Sequence, residues 1–284
     1  MSQETLYLGK SYEVQRLNGR VEMAVDARWS RSHSAAAERH GVDSLTLSHR
    51  CVEGGLGFLA DLSGVRSLTI SVPLNPVDLR PLERLSQLEE LRIFRGSLVS
   101  IGPPGELDFS AMRKLVSCTL APYWAQWETV FRCANLRGLH LMESRDLNEL
   151  DLIGLPKLTQ LVFGGLPKLV SFRVAPSARV QSMQLRSCTK LHVDWPRAGR
   201  DLQYLWIEKK PAYPFTELRH AAGLKGLMLS FCRRIDSAEF LRDLPGLEWL
   251  ELFLTDFDED GYRVIRSMKK LRANIPIARE RGTD

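Results

Sequence analysis

The chain has 284 residues, and a hydrophobic content of 44% is ample for a continuous core, which excludes a disordered chain. Its net charge is +5 at pH 7, but lysines and arginines are spread along the sequence, so we predict no nucleic-acid partner. No apolar run reaches the roughly 18 residues of a membrane span, and residues 1–4 lack the features of a secretion signal. We therefore expect a cytoplasmic protein with no membrane partner.

The N-terminal region predicts a β-hairpin that covers one end of the domain that follows it. Residues 12–17 and 20–25 flank Asn18-Gly19, a pair that favours a type I′ turn. We assign residues 1–36 to this capping hairpin and its lead-in, and residues 37–284 to a repeat domain with a C-terminal helical cap.

A hexad of the form LxxLxL recurs from Val42 onward, and its first, fourth and sixth residues are apolar. The last two of these are two residues apart, which is the period of a strand. Because a coil of about 22 residues cannot bury its leucines alone, successive coils must stack and pair their strands in parallel. We predict about eleven coils. Their hexads open at Val42, Val65, Leu88, Leu115, Leu136, Leu158, Val180, Leu202, Leu224, Leu247 and Leu271.

The segments that return from one strand to the next differ along the chain. Residues 76–85 and 236–244 have helical or 3-10 character. A second apolar series at Leu147, Leu169 and Leu191 predicts extended backs in the middle coils. The back side is therefore expected to be mixed.

The C-terminal region predicts an amphipathic helix over residues 259–269, with Tyr262, Ile265 and Met268 facing inward. The preceding stretch, Asp256 to Gly261, matches the first half of an EF-hand calcium loop. The match fails at loop position twelve, which is Ser267 instead of a bidentate glutamate. We expect these acids to lie at the N-terminus of the final helix.

The recurrence resembles the leucine-rich-repeat family over residues 37–284, most clearly at residues 136–141 (LRGLHL) and 224–229 (LKGLML). The resemblance implies an α/β solenoid, a right-handed superhelix with a parallel β-sheet on one face. At the ninth position, where the family usually has asparagine, this chain has Cys188, Cys232 and Thr255. We therefore expect the hydrogen bonds of an asparagine ladder to be absent. Cytoplasmic members often carry cysteine there, and the chain is similar to bacterial proteins of that kind.

The third, fifth and seventh hexad residues should face solvent, because side chains alternate along a strand. In the first two coils these are Ser44, Thr46, Ser48, Ser67, Thr69 and Ser71, whereas the coils that open at 202, 224 and 247 carry large side chains. Trp and Tyr are enriched in binding hot spots, so we predict a partner-binding site with polar groups around an apolar centre. An alternative is that the chain's own terminus covers these aromatic residues. The predicted site comprises Tyr204, Trp206, Glu208, Met228, Trp249, Glu251, Phe253, Arg186 and His140.

Motifs for cofactor or metal binding are incomplete. The five cysteines contain no CxxC pair and are expected to be reduced core thiols, so no metal site is predicted. Residues 55–60 match a GxGxxA fingerprint, but the next strand ends in Ser71 and Val72 without an acid to hold a ribose. We expect a turn within a repeat at these residues, and no cofactor.

These patterns favour a non-enzymatic module that binds another protein on its exposed strand face. The resemblance to compact bacterial repeat proteins implies an immunity protein or antitoxin whose partner is a toxin. A regulatory scaffold or adaptor is the alternative. A parallel β-helix enzyme acting on carbohydrate is a second alternative, with Glu208 and Glu251 as its carboxylate pair.

Overall fold

The computed structural model describes residues 3–72, 77–95, 107–121, 127–209 and 214–274. Pro76, which begins a predicted return segment, and residues 275–284, which end the predicted repeat domain, lie outside these ranges. The chain forms two compact units, Met1–Leu141 and Met142–Asp284. The boundary between residues 36 and 37 and the number of about eleven coils stay predictions. In the described ranges, every helix is too short or too polar to cross a membrane.

The first unit opens with three antiparallel strands, of which the second and third form the expected hairpin. Asn18 and Gly19 have φ angles of 52° and 81°, as a type I′ turn requires. The first strand was not predicted, because its residues are mostly exposed and do not alternate strictly. The three strands are β1 (Gln3–Leu8), β2 (Tyr12–Leu17) and β3 (Arg20–Val25).

Parallel strands follow β3 in the first unit, and helices or 3-10 turns return the chain between them. The strands are β4 (Ser44–Leu47), β5 (Ser67–Val72), β6 (Glu90–Arg95), β7 (Ser117–Leu120) and β8 (Gly138–Met142). The helices are α1 (Arg31–His40) and α2 (His49–Glu53), with 3-10 helices at Gly57–Asp61, Arg80–Arg84, Phe109–Ala111 and Trp127–Arg132. The predicted GxGxxA turn therefore lies in a return segment.

The second unit contains a parallel sheet and a smaller two-stranded sheet. The small sheet pairs β9 (Glu149–Leu152) with β11 (Ser171–Val174), and both come from return segments. The main sheet has the order β10 (Gln160–Gly164), β12 (Ser182–Arg186), β13 (Tyr204–Glu208), β14 (Gly226–Ile235), β15 (Trp249–Phe257) and β16 (Arg272–Asn274). The other elements are α3 (Trp195–Ala198), α4 (Glu259–Ser267) and 3-10 helices at Phe215–His220 and Glu239–Asp243.

The prediction of extended backs is correct for two coils and wrong for the third. The series at Leu147 and Leu169 leads into β9 and β11, whereas the series at Leu191 leads into α3. Pro196 lies in the first turn of α3, where its missing N–H donor costs nothing, but it could not donate to a sheet ladder.

The core confirms the coil architecture, because hexad positions one, four and six are buried in the coils that open from Val65 to Leu247. In the coil that opens at Leu224, the side chains of Leu224, Leu227 and Leu229 are all inaccessible to solvent. The last hexad was placed one residue late: Ala273 pairs with Leu250, so Arg272 and Asn274 lie in register with Trp249 and Glu251.

The small residues of the first unit are less exposed than strand alternation predicted. Ser44 and Ser67 are buried. Longer neighbours cover this face: the Ser67 hydroxyl donates to the Glu90 carboxylate at 3.4 Å, and Glu90 also lies 3.3 Å from the Arg20 guanidinium.

Side-chain hydrogen bonds persist at the ninth hexad position, contrary to the prediction. The Cys188 thiol donates to the Phe163 carbonyl at 3.6 Å, and the Cys232 thiol donates to the Ile207 carbonyl at 3.7 Å. The Thr255 hydroxyl accepts the backbone N–H of Cys232 at 3.0 Å. Sulfur and hydroxyl groups therefore link adjacent coils, as an asparagine ladder would. All five cysteines are buried and unbonded to one another, and burial raises the pKa of Cys51 to about 11 and of Cys133 to about 12.

The C-terminal helix α4 forms as predicted, and acids lie at its N-terminus. Asp258 is the N-cap and accepts the Gly261 N–H at 2.8 Å, and two further acids lie in the first turn, where the helix dipole favours negative charge. The buried side is formed by Val264 and Ile265, whereas Tyr262 is half-buried and its hydroxyl donates to Asp256. Ile265 thus faces inward as predicted, whereas Tyr262 and Met268 are only half-buried.

Replacing Thr255 by Val should destabilise the second unit by about 1–3 kcal/mol, because the isosteric side chain leaves the buried Cys232 N–H without an acceptor. The free energy of unfolding in urea measures this. The control is Thr216→Val, at an exposed position of a 3-10 helix in the same unit. Equal effects of the two variants would show that the Thr255 hydroxyl does not link the coils.

Mild acid should destabilise the first unit through His33. This side chain is buried, its Nδ1 accepts the Ser30 N–H at 2.9 Å, and burial lowers its pKa below the ordinary value of 6.5. The unfolded chain takes up the proton first, so stability falls as pH drops below about 6.5 toward the lowered pKa. We expect the thermal unfolding temperature to fall between about pH 7 and pH 5, and to fall less in His33→Asn. An identical pH dependence in the variant would contradict this assignment.

Candidate functional site

Three rows of side chains cross the outer face of β13, β14 and β15 in direct register. The rows correspond to the third, fifth and seventh hexad positions, so all three lie on the face opposite the leucines. The rows are Tyr204, Gly226 and Trp249; Trp206, Met228 and Glu251; and Glu208, Ser230 and Phe253.

The first row is an aromatic platform over Gly226. A Cβ atom added to Gly226 would lie 2.9 Å from Cδ1 of Tyr204 and 3.2 Å from Cε3 of Trp249. The two rings therefore approach the glycine backbone from both neighbouring strands. The absence of a side chain at this position is what allows both rings to lie against the sheet.

A polar network fixes the Trp206 ring in the middle row. Its indole N–H donates to the Ser230 hydroxyl at 3.2 Å, and the guanidinium carbon of Arg186 lies 5.0 Å from the ring centroid. Nε of Arg186 also donates to the Glu208 carboxylate at 3.0 Å. Because Glu208 is only 9% exposed, this ion pair is partly removed from water and restricts both side chains.

Phe231 and Leu254 complete the surface, and sequence analysis missed both. They follow the seventh hexad positions, and their φ angles are 53° and 47°, in the left-handed region. This conformation turns them outward, where Phe231 makes an edge contact with Phe253 at 5.3 Å between centroids. Alignment of the repeats would have indicated a left-handed backbone here, because the equivalent position in an earlier coil is Gly165, whose φ is 66°.

These apolar side chains together form what we call the aromatic patch: Tyr204, Trp206, Met228, Phe231, Trp249, Phe253 and Leu254. Five of them are large and solvent-exposed, with exposed fractions of 53% for Tyr204, 40% for Phe231, 39% for Trp249, 49% for Phe253 and 62% for Leu254. No part of the described chain covers them, which disfavours the alternative of an internal lid within those ranges.

The four polar residues of the predicted site lie in different surroundings. Arg186 and Glu251 are half-buried beside the patch, whereas Glu208 is buried and not solvent-facing. The cause is the guanidinium of Arg186, which lies against it. His140 belongs to the first unit, where its Nδ1 lies 3.2 Å from the Thr119 hydroxyl. Its assignment to the same site stays a prediction.

The site offers little for catalysis by a carboxylate pair. Glu208 lies in the seventh-position row and Glu251 in the fifth, two strands apart, so their Cα atoms are about 12 Å from each other. Among the described residues, no group of three His, Cys, Asp or Glu side chains is arranged to hold a metal ion.

A cleft in the first unit is a weaker candidate. Its volume is about 370 Å³, and its lining includes Lys10, Tyr12, Asp26 and Ser48. The Ser48 hydroxyl is buried and has no hydrogen-bond partner within the described ranges. The lining of the cleft carries charges of both signs, on Lys10 and Asp26.

Comparisons with family models and with characterised proteins find no match. Among solved structures, the chain is similar to the functional domain of InlJ from Listeria monocytogenes, which includes a cysteine ladder. The identity is 15% over 79% of this chain and 51% of that one, with a TM-score of 0.49. The chain thus spans about half the length of that structure.

Two further similarities have lower scores. An internalin, InlF, from Listeria monocytogenes is 13% identical over 90% of this chain and 86% of that one, with a TM-score of 0.39. The Toll–Spatzle complex of Drosophila is 10% identical over 85% of this chain and 31% of that one, with a TM-score of 0.38.

Coil geometry decides the fold, since the hexads form parallel strands with their leucines in register and short return segments between them. The chain has a leucine-rich-repeat fold. The aromatic patch lies on the strand face of three successive coils. Its side chains come from positions that the buried leucines do not occupy.

Replacing Arg186 by Gln should destabilise the second unit by about 1–3 kcal/mol, because the buried Glu208 carboxylate loses its cation. The control is Arg173→Gln, which breaks an equally direct pair with Asp151 whose side chains are 65% and 50% exposed. That exposed pair should contribute less than about 0.5 kcal/mol. The free energies of unfolding in urea compare the two variants. A larger loss of stability in Arg173→Gln than in Arg186→Gln would contradict the network.

Proposed function

We propose that this protein binds another protein through the aromatic patch, without catalysing a reaction. The observation that carries the proposal is the concentration of five exposed large apolar side chains on three adjacent coils, between Tyr204 and Leu254. Contiguous exposed apolar surface of this kind marks interaction sites in soluble proteins, and Trp and Tyr are typical of binding hot spots.

The rigidity of the patch supports the same function. Its side chains project from paired strands, and Trp206 is held by Ser230 on one side and Arg186 on the other. A surface whose side chains are fixed before binding loses little conformational entropy when a partner docks. The patch is therefore suited to recognise one shape of partner.

The enzymatic alternative and the non-enzymatic alternatives are not equally supported. A carbohydrate-hydrolysing enzyme would need a free acid and a free base, but Glu208 is paired with Arg186 and lies in a different row from Glu251. A toxin as the partner, an immunity or antitoxin role, a scaffold or adaptor role and a cytoplasmic location all stay predictions. These non-enzymatic roles would use the same surface and differ in what it binds.

Binding should depend on Trp249 and Phe253. We would select ligands for the full-length chain from a displayed library of random peptides and measure their affinities by fluorescence anisotropy. Trp249→Ala and Phe253→Ala should each weaken the selected peptides by about tenfold or more, because hot-spot aromatic groups contribute at least about 1.4 kcal/mol.

The matched controls are Ile153→Ala and Val170→Ala, which remove exposed apolar side chains elsewhere in the second unit. They should leave affinity unchanged. The proposal fails if the selection yields no peptide whose affinity depends on the patch, or if both groups of variants behave alike.

A further inference from the structure

We infer that the protein segment bound by the aromatic patch is acidic, with apolar anchor residues flanked by carboxylates. The inference rests on the proposed function and specifies its ligand. It follows from the cations that border the patch, two of which are placed by strand register or by a direct contact with an aromatic ring.

Among the described residues, three cations that lack an acidic partner border the patch. The Lys209 ammonium lies 5.8 Å from the Phe231 ring centroid. Arg272 lies in direct register with Trp249 on the neighbouring strand, in the same row as the aromatic platform. Arg233 is exposed on β14, two residues beyond Phe231, and also has a left-handed backbone with φ of 60°.

These three cations are not neutralised within the described chain. No carboxylate in the described ranges lies within 4 Å of Lys209, Arg233 or Arg272. This contrasts with Arg186, whose charge is balanced by Glu208 at 3.0 Å. A partner carboxylate could therefore pair with each border cation without displacing an existing partner.

Among the described residues, fewer acids than cations face this surface without an ion pair. Glu251, in the middle row, is half-buried and has no ion pair in the described ranges. Asp256, further along β15, accepts the Tyr262 hydroxyl. The surface thus combines an apolar centre, one central carboxylate and a border of free cations, so an approaching segment with acids at its periphery is attracted.

The dimensions support a short acidic segment. The patch extends about 10 Å across three strands and about 13 Å along them, enough for a few side chains. Charged groups around such a centre chiefly raise association rates and choose between partners, while the buried apolar groups provide most of the affinity. A nucleic acid is less suited, because phosphates would pass close to the Glu251 carboxylate and three isolated cations do not form a continuous track.

The experiment uses the peptides selected by the full-length chain, grouped by whether Trp249→Ala weakens them. Within the patch-dependent group, Asp and Glu should be enriched next to aromatic or aliphatic residues. Their affinity should fall as NaCl rises from about 50 to about 500 mM, because exposed ion pairs are screened by salt. Lys209→Glu combined with Arg272→Glu should weaken them by about tenfold.

The matched control is Arg179→Glu combined with Lys190→Glu. It changes the net charge equally at two exposed positions outside the strand face of the same unit. This variant should lose less than about twofold, since long-range repulsion alone remains. Circular dichroism and urea unfolding of both double variants confirm that each stays folded.

Several outcomes would overturn the inference while leaving the proposed function intact. These are patch-dependent peptides that are basic or uncharged, or equal losses in the two charge-reversed variants. Stronger competition by single-stranded oligonucleotides than by acidic peptides would assign the surface to nucleic acid. Dimerisation that Trp249→Ala abolishes, measured by sedimentation, would make a second copy of the chain the occupant. If no peptide depends on Trp249, the proposed function itself fails.

Discussion

Leucine register between neighbouring parallel strands is the constraint on which the second unit depends. Each coil is too small to enclose its own apolar residues, so Leu205, Leu227 and Leu250 must align for any of them to be buried. A slip of one residue would turn the leucines to solvent and the aromatic side chains inward. The same alignment therefore fixes which side chains reach the outer face, and it brings Tyr204 and Trp249 together across Gly226.

Most of the strand architecture could be predicted from the sequence, because it follows from local periodicity. The hexads mark nearly every strand from β4 onward apart from β9 and β11, and Asn18-Gly19 marks the hairpin turn. The errors have physical causes that periodicity does not record. A proline redirected the third extended back into α3, and the last strand is displaced by one residue, so that Ala273 and not a leucine lies in register with Leu250.

The candidate site could be predicted only as far as strand alternation extends. Alternation identified Tyr204, Trp249 and Phe253, but it treated Glu208 as solvent-facing, since an ion pair between neighbouring coils cannot be seen in one strand. It also missed Phe231 and Leu254, whose direction is set by left-handed backbone. Side-chain chemistry at the ninth position was similarly hidden, because a thiol or a hydroxyl can replace an amide as the link between coils.

The left-handed residues after the strands have a consequence for how such a surface could change. A phenylalanine or leucine at positive φ is less stable than glycine would be, so Phe231 and Leu254 are retained at some cost in folding free energy. Substitution to glycine would relax the chain and flatten its outer surface. Since neither side chain lies in the leucine core, both positions can exchange freely during evolution, and a new specificity could arise there while the scaffold beneath stays the same.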